Sequence, residues 1–157
     1  MCTIHGERIP VNDSSPGGRT VKKLAVIVTQ GTYNNLLQAC ELVRIAAAAG
    51  TQVSVLFRDE AAAKLTNQKV KELTFSEAYR GREAKVREML RERKQHDLPT
   101  ILREIKDKGD VKFSICRDSI EYFDLGVDQL IPELDEVQRA EAFWREEVAQ
   151  ADQVVTF

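Results

Sequence analysis

The run Leu24-Ala-Val-Ile-Val28 is apolar without a break and β-branched at its last three positions. A strand with one solvated face would alternate, so this one must be covered on both sides, as in a parallel sheet sandwiched by helices. The sequence beyond it supplies a cover. Gln30 to Asn35 holds turn residues and candidate caps, and Leu36 to Ala49 repeats apolar residues at helical spacing through Leu36, Leu37, Cys40, Val43 and Ala47 before Gly50 stops it. Thr51 to Phe57 alternates briefly and then turns solidly apolar, a second strand that completes a βαβ unit with a right-handed crossover. The class is α/β, an open and mostly parallel sheet with helices on both faces.

From Arg58 to Asp110 no strand is expected. Residues 59–109 read as a charged helical insert, with a narrow stripe of Val86, Met89 and Leu90 and a further helix opened by Asp97-Leu-Pro99 and ended by Gly109. The basic residues Arg80, Arg82, Lys85, Arg87, Arg91, Arg93 and Lys94 suggest an anion or acidic-partner surface, but Glu83, Glu88 and Glu92 are interleaved at spacings that permit helical ion pairs, which favours a solvated face. His96 reads as a helix-end or loop residue rather than a catalytic base, with no second histidine or acidic partner placed by spacing.

The third apolar run, Val111 to Cys116, ends on a cysteine, and the pattern then becomes helical, with Asp118 and Ser119 as caps or first-turn groups and Gly126 as the stop. Val127 to Pro132 suggests a short connection or edge strand. Gln138 to Gln150 reads as a helix offering Ala142, Phe143, Trp144 and Val148 for packing, and Asp152 to Phe157 as a terminal strand whose Val154, Val155 and Phe157 should be buried in the sheet or at a subunit contact. Residues 1–20, with Pro10, Pro16, Gly17 and Gly18 among polar residues, read as a flexible lead-in to a single domain over 21–157.

Several classes of function drop out on composition. The formal net charge is −2, which gives the chain no electrostatic case for nucleic acid. No apolar run approaches the roughly 20 residues of a membrane helix, and Met1 to Arg8 lacks a basic stretch followed by an apolar core, so a soluble cytoplasmic protein is expected. The three cysteines Cys2, Cys40 and Cys116 form no C-x-x-C pair and have no histidine at ligand spacing, which argues against a disulfide framework and a metal site. No G-x-G-x-x-G or phosphate loop calls for a nucleotide cofactor.

Chemistry by free thiol remains. Cys116 stands at a strand end facing a helix N-terminus, where unpaired amides favour the thiolate, and Arg117 adds a cation beside it. The carboxyl ends of parallel strands are also where open α/β sheets place ligands. The other reading is a buried cysteine acting as a small hydrophobe. Cys40, on the apolar stripe of its helix, reads as core, and Cys2 as an incidental thiol on the lead-in.

Taken together, Lys23-Leu-Ala-Val-Ile-Val-Thr-Gln-Gly-Thr32, Val111-Lys-Phe-Ser-Ile-Cys116-Arg-Asp-Ser119, Phe123-Asp-Leu-Gly-Val-Asp-Gln-Leu-Ile-Pro-Glu133 and Ala151-Asp-Gln-Val-Val-Thr-Phe157 resemble the DsrE/DsrF-like family of sulfur-trafficking proteins. The resemblance implies a flavodoxin-like three-layer sandwich. It implies a sulfur carrier or sulfurtransferase that holds sulfane sulfur on Cys116, as persulfide or thiosulfonate, with no cofactor. Arg117, Asp118 and Ser119 would line the site, joined by Gly31, Thr32 and Tyr33 from the first strand–helix loop. A TusA-like carrier protein as partner, a rhodanese-like donor and a homo-oligomer are implied as well. Two alternatives stay open: a noncatalytic subunit of such an oligomer, with Cys116 buried, and a small-ligand-binding protein.

Overall fold

The computed structural model describes residues 20–157, and the backbone of residues 2–4 and 7–9 ahead of them. The flexible lead-in expected over residues 1–20, with Cys2 on it, falls largely outside the described residues. Within it β1 (Cys2–Ile4) and β2 (Glu7–Ile9) pair antiparallel. The main sheet holds β3 (Lys23–Val28), β4 (Gln52–Phe57), β5 (Val111–Cys116), β6 (Glu136–Gln138) and β7 (Gln153–Thr156). All pair parallel, in the order β6-β5-β4-β3-β7.

That order explains the two layers of helices. From β3 to β4 to β5 the chain steps one way across the sheet, and crossovers of one hand stack their helices on one face. These are α1 (Tyr33–Ala48), α2 (Asp59–Lys64), α3 (Glu83–Glu92) and α4 (Leu98–Lys108). Leu36, Val43, Leu98 and Leu102 from α1 and α4 pack there against Val26, Val55 and Phe113, and the Phe57 and Phe113 rings lie 5.9 Å apart. After α5 (Arg117–Tyr122) and β6 at one edge, the chain must return past β5, β4 and β3 to place β7 at the other. The return runs through α6 (Ala140–Glu146), on the second face. Its Phe143 packs against Ala25 of β3, Leu56 of β4 and Cys116 of β5.

Local boundaries follow from particular contacts. α1 starts at Tyr33, three residues before the apolar repeat, because the Tyr33 side chain is fully buried and its N–H bonds to the Thr74 carbonyl at 2.8 Å. It ends at Gly50, whose φ of +83° takes the left-handed stop. Gly126 does not stop α5. Asp124 does so at φ +49°, with the Leu125 N–H returning to the Ile120 carbonyl at 3.0 Å, while Gly126 opens a short 3-10 turn over Val127–Gln129. The edge strand is therefore Glu136–Gln138 rather than the region before Pro132, and Gln138 belongs to it rather than to a helix. Trp144 is 65% exposed, since Phe143 is the residue of α6 that faces the sheet. In β7, Val155 and Phe157 lie half-buried on the core and Val154 is exposed, as befits an edge strand.

Candidate functional site

Cys116 ends β5 and is the N-cap residue of α5, with φ −70° and ψ 125°. Strand end and helix start thus meet on the cysteine. Its side chain alternates with Ile115 and enters the α6 face, where it is fully buried against Ala25, Leu56 and Phe143. Cys116 has no exposed surface in this arrangement.

Two polar residues flank it. Gln138 is in register with Cys116 across β5 and β6. Arg58 follows Phe57, which is in register with Ile115, and its extended backbone (φ −131°, ψ 165°) continues the alternation onto the face of Leu56 and Cys116. Each carries a buried polar atom with no hydrogen-bond partner, Arg58 Nε and Gln138 Oε1. The other end of the Gln138 amide donates to Glu146 Oε2 of α6 at 3.3 Å. An unpaired buried donor or acceptor costs on the order of 1–3 kcal/mol, so a donor and an acceptor left unpaired on residues from the strand ends on either side of Cys116 call for an explanation.

Toward the amino ends of the strands the same face turns ionic. Glu147, just past α6, accepts from Ser54 Oγ at 2.7 Å and pairs with Lys23 at 3.3 Å and Lys112 at 3.4 Å. Lys112 also meets Glu136 at 2.8 Å, and Ser114 donates to Glu136 at 3.1 Å. Burial works to raise the Glu147 carboxyl, but the Ser54 hydroxyl and the two ammonium groups outweigh it and hold it below the usual carboxylate range. The Glu136 hydrogen bond, with both carboxylates, pushes the Lys112 ammonium up. This network ties the carboxyl end of α6 to the sheet, and Phe143 seats its middle.

The remaining expected site residues are distributed differently. Arg117 pairs with Glu121 at 2.9 Å on the exposed side of α5 and so is not a cation against the buried thiol. Asp118 is half-buried in the first turn. Ser119 is buried and its hydroxyl accepts the Asp59 N–H at 2.8 Å, which fixes the β4–α2 junction where Asp59 sits at φ +50°. Gly31 and Thr32 line a cleft of about 250 Å³ with Glu60, Lys64, Thr74 and Phe123, so the β3–α1 loop and the end of α5 do share one edge of the sheet. A Cβ on Gly31 would overlap the Glu60 carbonyl, which is why the loop has glycine there.

Tyr33 is a correction. Its ring is buried in the α1 and α4 layer and its hydroxyl donates to the Gln95 carbonyl at 2.8 Å, on the far side of the sheet from Cys116. Burial pushes its phenol up. Cys40 lies in the same layer, and burial raises its thiol to about 12. Among the described residues no group of three or more His, Cys, Asp or Glu side chains is placed to hold a metal, and no helix is long and apolar enough to cross a membrane.

Arg58 and Gln138 were not legible as site residues from spacing. Arg58 had a faint signal, the first charge after a solidly apolar strand. Gln138 had none, because a three-residue edge strand has no apolar run to betray it.

A sequence model described as the DsrE/DsrF-like family matches residues 22–157. No curated protein matches the chain. Among solved structures, a protein of unknown function from Methanobacterium thermoautotrophicum, MTH1491, superposes with a TM-score of 0.58 over 85% of this chain and 98% of its own, at 13% identity. That likeness is one of fold.

Proposed function

This chain belongs to the DsrE/DsrF-like family, a family of the sulfur-relay type, and from that premise we propose that it carries sulfane sulfur on Cys116. The observation that supports this reading is the surroundings of the cysteine: a strand-end thiol at a helix start, with the unpaired Arg58 Nε just past β4 and Gln138 Oε1 at the end of β6. In the proposed reaction the Cys116 thiolate attacks the outer sulfur of a donor persulfide. An S–S bond forms at Cys116, and the donor thiolate leaves. An acceptor thiolate then takes the outer sulfur and releases Cys116 as thiolate, so no net oxidant or reductant is required. Arg58 and the first amides of α5 would hold the negative charge of the loaded form. A thiosulfonate adduct would place its charge in the same surroundings.

The carrier reading requires α6 to open, since Cys116 has no exposed surface. A TusA-like acceptor and a rhodanese-like donor are the proposed partners in the cytoplasm. The exposed Trp144 on α6, Val137 on β6 and Val154 on β7 support a homo-oligomer. Full burial of Cys116 favours a second reading, a noncatalytic subunit in which the cysteine is only core. Intact mass after incubation with polysulfide or thiosulfate separates the two. The carrier reading expects retained sulfur on the parent chain and none on Cys116→Ser. Equal adducts on both, or none on either, would sink it.

A further inference from the structure

A second cavity lies on the opposite side of the sheet from Cys116. It has a volume of about 440 Å³ and is lined by Lys71 and Leu73 from the loop after α2, Arg87 and Arg91 from successive turns of α3, and His96 and Asp97 from the α3–α4 connection. Three fixed cations face one carboxylate in a chain whose net charge is −2. Among the described residues, Lys71, Arg87 and Arg91 have no carboxylate within ion-pair distance, and Glu83, Glu88 and Glu92 pair with none of the basic residues interleaved with them. The helical ion pairs that the spacing permitted do not form.

Two details give the cleft a built character. The Arg87 guanidinium lies 5.3 Å over the Phe75 ring and donates to the Leu73 carbonyl at 3.4 Å, so it is held in place before any ligand arrives. Asp97 accepts the Thr100 hydroxyl on Oδ2 at 2.8 Å, yet its Oδ1 is buried and has no partner. The cations ask for an anion, and Asp97 in the same lining offers a carboxylate to a hydrogen-bond donor carried by that ligand.

We propose that this cleft binds a small phosphorylated metabolite bearing a hydroxyl or amino group close to its phosphate. The phosphate meets Lys71, Arg87 and Arg91, and the donor group meets Asp97. The cavity is the size of a small-molecule site. Exposed Glu88 and Glu92 on α3 disfavour an extended polyanion.

The test is amide-resolved NMR titration of the full-length Cys116→Ser chain, which keeps it independent of sulfur loading. The probes are glycerol 3-phosphate, inorganic phosphate and sulfate. The expected result is saturable shifts at residues 71–73 and 87–97, with glycerol 3-phosphate bound about tenfold more tightly than sulfate, which has no donor for Asp97. Lys71→Ala and Arg91→Ala, both at exposed positions, should each weaken binding by roughly five- to tenfold, while Lys85→Ala leaves it unchanged. Asp97→Asn, nearly isosteric and at an N-cap position where the Asp97 side chain makes no cap hydrogen bond, should bring glycerol 3-phosphate and sulfate to within about threefold of each other. Non-saturating shifts, equal affinity for the three anions, or equal weakening by Lys85→Ala would overturn the proposal and return the cluster to a solvated face.

Discussion

Phe143→Ala tests whether α6 is the gate to Cys116. Phe143 is 1% exposed and fills the space over Cys116, Ala25 and Leu56. Its truncation should destabilise the protein by about 3–5 kcal/mol, the range for a large aromatic lost from a core. If Cys116 is reached by local displacement of α6, the substitution also removes the apolar burial that holds α6 down, about 1.5–3 kcal/mol, and alkylation of Cys116 should accelerate roughly 10- to 150-fold. Cys40 provides the control within the same molecule, since it is buried on α1, in the layer on the other face. The assay is a pulse of alkylating reagent under native conditions, with peptide mass spectrometry reporting each cysteine separately. Local opening predicts that Cys116 gains over Cys40. Leu102→Ala, which truncates a fully buried residue of α4, should give no such selective gain. If Phe143→Ala accelerates both cysteines by the same factor, exposure runs through global unfolding and α6 is not a gate.

Three other outcomes follow from the geometry. Glu147→Gln should cost about 1–3 kcal/mol at pH 7, because Lys23 and Lys112 lose their shared carboxylate. The folded carboxyl sits below its unfolded value, so its contribution is present above the ordinary carboxylate pKa and fades as pH falls through the depressed one. The parent–variant gap in urea midpoint should thus shrink on acidification, and a gap constant from pH 7 to pH 3 would refute the pairing. Deleting residues 153–157 removes the β3–β7 ladder from Leu24↔Gln153 to Ile27↔Thr156 and the half-buried Val155 and Phe157. A loss of several kcal/mol is expected, and an unchanged melting temperature would contradict it. Gly31→Ala should destabilise by about 1–3 kcal/mol, since the new Cβ meets Glu60 backbone rather than a movable side chain. Denaturant unfolding that matched the parent would show that the β3–α1 loop has room to shift.

The parallel sheet, its three long strands and the helix on Cys116 were determined locally. Solidly apolar β-branched runs have one stable environment, and a strand ending on Cys116 before a helical pattern leaves that residue at the carboxyl edge wherever the sheet is built. The core position of Cys40 followed in the same way from helical spacing. What lies over Cys116 was decided by strand order. Pairing of β6 with β5 sets Gln138 beside Cys116 from 22 positions away, and the return from β6 to β7 crosses the second face and brings Phe143 onto the thiol from 27 positions away. No period or spacing encodes such a meeting. Tyr33 shows the same limit from the other side: its place in the connection between β3 and α1 was readable, but the handedness of the crossovers sent its ring to the opposite layer. Position along an element is a property of the local pattern, whereas which face a residue shares, and with whom, is set by how the elements close on one another.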